Sequence, residues 1–143
     1  MTTSYEKIYS SFLSKITDYN LAQFEVGDLE EQLYEYMISS IPEFKRCKKD
    51  LSDRDEEAKV FNNKLSDEEI KILAHLMIME WLSPKIKTLN NLKQFMGTKD
   101  FSMSSQANFL KELIHLKRDQ QADIDKMLVN YSYSENKLDD LIK

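Results

Sequence analysis

His75, His115 and Cys47 are the residues of this 143-residue chain best suited to ligate a metal or attack a substrate. Their spacing argues against either. A metal site on a helix needs a second ligand three or four positions away. His75 has Lys71 and Met79 there, and His115 has only Glu112. Cys47 lies between Arg46 and Lys48, which would favour the thiolate if it were exposed, yet no general base or oxyanion site accompanies it. A lone cysteine forms no internal disulfide and no multi-thiolate site. The carboxylates of Asp53, Asp55, Glu56 and Glu57 surround Arg54 without an apolar frame to split their acidities, so they read as solvated surface. The twelve-residue calcium pattern and its glycine are missing. Two glycines seventy positions apart, Gly27 and Gly97, cannot build a phosphate-cradling loop or a dinucleotide turn. The sequence therefore predicts no catalytic residues, no cofactor and no metal, and a protein that is not an enzyme.

Charge layout is more informative. The net charge is −5. Residues 1–44 balance at −6 and residues 119–143 at −3. Residues 85–118 hold Lys85, Lys87, Lys93, Lys99, Lys111, Lys117 and Arg118 against Asp100 and Glu112, a balance of +5. Such segregation suits a head-to-tail contact between copies, and a salt-bridged monomer surface accounts for it equally. The predicted subunit interface uses Lys85, Lys87, Lys93, Lys117 and Arg118. A second basic cluster, Lys45, Arg46, Lys48 and Lys49, could touch phosphate, but an acidic chain lacks the net basic face of a nucleic-acid module.

Helical periodicity supplies the elements that carry these charges. With 41% hydrophobic and 31% charged residues, the composition is that of a folded domain, and few Gly or Pro turns argue against an all-β fold. Ile8, Phe12, Leu13 and Ile16 mark a helix over 3–17, and 18–27 reads as a connection. A second helix begins near Asp28 with Leu33, Met37 and Ile41 inward, and Pro42 ends or kinks it. Leu65-Ser66-Asp67-Glu68-Glu69-Ile70 is a capping box with a hydrophobic staple. The helix it opens is apolar nearly all round as far as Leu82, so it should be the centre of the core with Trp81 as an anchor. Pro84 fits the first position of a new helix, which Gly97 terminates. A long helix follows from about 104 to 131.

Residues 44–64 show neither helical nor strand periodicity but retain Leu51, Val60 and Phe61, which predicts an ordered excursion packed on the body or on a neighbour. Residues 132–143 read as an extended tail. Tyr131, Tyr133, Leu138, Leu141 and Ile142 are its apolar side chains, and they are predicted to dock on a partner or a neighbouring subunit. The expectation is an all-α protein: a small helical bundle domain over 1–131 and a C-terminal tail over 132–143. The start of the chain lacks a signal-peptide core, and the apolar stretch Ile70–Leu82 is too short to span a bilayer, so a soluble protein without a membrane partner is expected.

The block KKDLSDRDEEAKVFNNKLSDEEIKILAHLMIMEWLSPKI at 48–86 and the phrase SSQANFLKELIHLKRD at 104–119 resemble small structural proteins of tailed phages infecting Gram-positive bacteria. Over residues 5–133 the arrangement is similar to the head–tail connector, or adaptor, family. The resemblance implies a helical virion protein made in the host cytoplasm and located in the neck. It implies a homo-oligomeric ring beneath the portal, contacting the portal protein and a head-closure or tail-completion protein, with DNA passing through unread. The alternative is a small helical DNA-binding or regulatory phage protein.

Overall fold

The computed structural model describes residues 1–17 and 29–142, with side chains for 1–16 and 29–133. The expected connection at 18–27 and Asp28 lie outside the described residues. Strand β1 (Thr3–Ser4) leads into helix α1 (Tyr5–Thr17); helix α2 (Leu29–Ser40) follows and ends in a 3-10 turn at Ile41–Glu43. Strands β2 (Arg54–Asp55) and β3 (Val60–Phe61) precede helices α3 (Asp67–Met96), α4 (Thr98–Ser102) and α5 (Ser105–Ile142). The protein is all-α apart from this small sheet.

α3 is the axis of the fold. Ser66 accepts the amide of Glu69 at 3.1 Å, and Glu69 Oε1 accepts the amide of Ser66 at 2.8 Å, the reciprocal cap expected from the sequence. α1, α2 and α5 all pack on α3. Ile72, Leu73, Ala74, Met77, Ile78 and Leu82 are fully covered, and Trp81 is 2% exposed. Phe12 meets the Trp81 ring edge-on at 6.4 Å, as aromatic quadrupoles favour.

The structure departs from the sequence reading in three places. First, Pro84 does not start a new helix: α3 runs through it as one 30-residue helix. Ile86 and Leu89 are buried and Leu92 and Met96 half-buried, so packing holds the helix across the missing amide bond. Gly97 does end α3, at φ +86 and ψ 149, a positive φ with an extended ψ.

Second, the excursion at 44–64 contains a hairpin. β3 pairs antiparallel with β2, Arg54 opposite Phe61, and with β1, Thr3 opposite Phe61. The amides of Glu57 and Ala58 donate to Asp55 Oδ1 at 3.0 Å, and Lys59 turns the chain at φ +59. Buried Thr3 accepts the amide of Leu65 and donates to the carbonyl of Asn63, tying the first strand to the start of α3. Leu51 and Phe61 are buried, in keeping with the expected packing on the body.

Third, residues 132–142 are not an extended tail. α5 is one 38-residue helix to Ile142, so the boundary expected at 131/132 falls inside it. At 1.5 Å per residue α3 is about 45 Å long and α5 about 57 Å.

Candidate functional site

Of the residues singled out for chemistry, His75 and Cys47 take structural places. His75 is half-buried on α3, and its Nδ1 lies 2.8 Å from Oε1 of buried Gln120 on α5. A carbonyl-type oxygen only accepts, so the neutral ring donates from Nδ1. Burial pushes its pKa down, with Lys15 and Lys71 adding to the effect and the Gln120 bond opposing it. His115 is exposed. Burial drives the Cys47 thiol up to about 11, the opposite of nucleophile activation, and its Sγ rests 3.7 Å from Glu69 Oε2. Among the described residues no group of three or more His, Cys, Asp or Glu could hold a metal ion, and no helix is long and apolar enough to cross a membrane.

A buried polar centre escaped the sequence reading beyond its cap. Glu69 is 2% exposed. Its Oε2 accepts the Tyr131 hydroxyl at 2.8 Å, and that hydroxyl accepts the amide of Lys48 at 3.0 Å. Burial pushes the Glu69 carboxyl up. The Ser66 amide, the Tyr131 hydroxyl and Lys49, 3.9 Å away, outweigh it, so the pKa is lowered overall. Tyr131, expected to dock on a partner, therefore belongs to the core, with its ring edge-on to Phe44 at 5.3 Å. The twenty-seventh residue of α5, it is the side chain that meets the capped end of α3. Tyr133 is 66% exposed and remains available. The side chains of Leu138, Leu141 and Ile142 lie outside those described.

The five cations expected at a subunit interface do not share one face. Lys85 Nζ sits 5.1 Å over the Trp81 ring, in a groove of about 410 Å³ with Tyr36, Thr88, Leu89 and Phe109. Lys117 lines a different groove with Glu43, Glu80, Gln121 and Asp125. Lys87 and Arg118 are exposed, and Lys93 is half-buried. Lys45 and Arg46 share a groove with Glu43 and Asp125, so that cluster makes no unbroken basic stripe.

Exposed apolar side chains mark the ends of the long helices instead. Phe95 is 89% exposed near the end of α3, and Met103 is 81% exposed after α4. Val129 and Tyr133 are two-thirds exposed where α5 passes the start of α3. A third feature is a cavity of about 380 Å³ lined by Tyr9 of α1, Glu30, Glu31 and Tyr34 of α2, and Glu56 and Lys59 of the hairpin. There Lys59 pairs with Glu30. Glu56 accepts Arg54 Nε at 2.6 Å and the Tyr34 hydroxyl at 2.5 Å.

Comparison with known proteins gives the origin of this helical chain. The chain belongs to the YomZ prophage protein family, whose model matches residues 1–133. It is 30% identical over 133 residues to the SPbeta prophage-derived uncharacterized protein YomZ of Bacillus subtilis (strain 168), covering 90% of this chain and 95% of that protein. The protein is thus phage-derived. No solved structure matches it.

Proposed function

We propose that this protein is a non-enzymatic virion component, a head–tail connector subunit that forms a homo-oligomeric ring in the phage neck between the portal and the components below it. Prophage origin, together with the resemblance of 48–86 and 104–119 to small proteins of phage structural genes and of the arrangement over 5–133 to the connector family, supports that setting. The observation that carries the reading is where the uncovered apolar groups lie. Phe95 and Met103 stand at one end of the α3–α5 hairpin and Val129 and Tyr133 at the other, all more exposed than Ile114 between them at 38%. Large apolar side chains left uncovered at both ends of the α3–α5 hairpin suit contacts with partners at both ends. A net charge of −5 per copy, repeated around a channel, lets DNA pass without trapping it. The portal protein and a head-closure or tail-completion protein are the partners of this reading, reached by α5 and its last turns.

The test is the content of particles released on induction of a lysogen carrying the gene. Mass spectrometry of purified virions should find the chain at a fixed ratio to the portal protein, and deleting the gene should leave filled heads unjoined to tails. Intact, infectious virions that lack the chain would overturn the reading.

A further inference from the structure

We propose that copies of this chain associate head to tail. The basic, apolar-tipped turn between α3 and α5 of one copy seats in the tyrosine–carboxylate cavity of the next. The proposal rests on the assembly reading above and specifies its contact.

The cavity offers what a cation on an apolar stem needs. Tyr9 and Tyr34 supply aromatic faces, and Glu30, Glu31 and Glu56 supply carboxylates against the single ammonium of Lys59. Glu30 and Glu56 have partners, whereas Glu31 is exposed and has none among the described residues. Tyr5 backs these two rings, 6.1 Å from Tyr34 and 6.4 Å from Tyr9. A space of about 380 Å³ accommodates one or two large side chains.

The tip is complementary. Phe95 and Met103 are exposed in the same turn region as Lys93 and Lys99, and neither ammonium has an ion-pair partner among the described residues. Gly97 makes the turn that presents them, at a φ of +86 that other residues rarely adopt. The cavity is walled by α1, α2 and the turn between β2 and β3, and no residue of α3, α4 or α5 lines it. Lys93, Phe95, Lys99 and Met103 are not among its lining residues, so the tip does not occupy its own cavity. The contact is heterologous, the type that propagates around a ring. The opposite charges, +5 over 85–118 and −6 over 1–44, steer tip to cavity and disfavour tip to tip.

Sedimentation velocity over a concentration series at low salt tests this, using the full chain, Lys93→Glu/Lys99→Glu, Glu30→Lys/Glu31→Lys, the fourfold combination, and Phe95→Ser. Thermal melting of each variant reports its fold. The parent should self-associate. Either reversal and Phe95→Ser should weaken association about tenfold or more, and the combination should recover most of it because the charges match again. Reversals that associate like the parent, or a folded combination that fails to recover, would overturn the contact. A parent that stays monomeric throughout overturns it too. None of these results decides whether the protein is a virion component, which depends on its presence in virions.

Discussion

The Tyr131 hydroxyl donates to the Glu69 carboxylate at 2.8 Å, joining residues 62 positions apart and fixing where α5 crosses the start of α3. The same hydroxyl accepts the Lys48 amide, so one oxygen holds three segments. Tyr131→Phe keeps the ring against Phe44 but strands a buried carboxylate lone pair and a backbone amide. It should cost about 1.5–3 kcal/mol, the range for hydrogen bonds to charged groups. Urea unfolding measures this, and a loss under about 0.5 kcal/mol would mean that water replaces the hydroxyl.

Trp81 and Ser66 define the second expectation. Trp81→Ala removes the largest fully buried side chain and should cost about 3–5 kcal/mol, while Ser66→Ala should cost about 1 kcal/mol through the lost cap. A Trp81→Ala protein that melts within a degree or two of the parent would contradict the packing described for α3.

Pro84 gives an expectation of opposite sign. It withholds one amide from the interior of a continuous helix, and alanine at this position restores the donor. Pro84→Ala should raise the melting temperature, by an amount corresponding to as much as about 3 kcal/mol. A lower melting temperature would show that the ring's contact in the Trp81 groove outweighs the missing bond.

His75 sets a pH dependence. Its pKa is lowered in the folded state from the model-peptide value of 6.5, so the unfolded chain takes up the proton first as pH falls. The stabilising contribution is complete above 6.5 and is lost as pH drops through the folded value. Melting temperature should fall between pH 7.5 and 5.5, and His75→Asn should flatten that slope. Glu69, whose folded pKa is lowered from 4.5, adds a second loss that begins below that value.

How much of this was legible in the sequence depended on how local the cause was. The capping box at Ser66–Glu69, the core role of Trp81 and the inward stripe of α2 are set within one or two turns, and the structure holds them as expected. The β2–β3 hairpin was not legible, because two-residue strands carry no alternation and β3 is held by Thr3, some sixty residues away. Pro84 misled because proline's local preference for a helix start was overridden by the apolar side chains that continue beyond it. Tyr131 misled for a related reason. Its partner Glu69 had already been assigned to the cap, and nothing in the spacing shows a carboxylate serving two roles. Lys85 and Lys117 are both basic residues of the 85–118 stretch, and only packing reveals that they face different grooves.

The central claim is that this chain is a ring-forming subunit of the neck, and electron microscopy of the purified full-length protein, alone and mixed with its cognate portal, tests it most directly. The expected result is a closed ring of copies stacked coaxially on the portal, with α5 directed toward the contact. Portal particles that remain bare at saturating concentrations of the protein would contradict it.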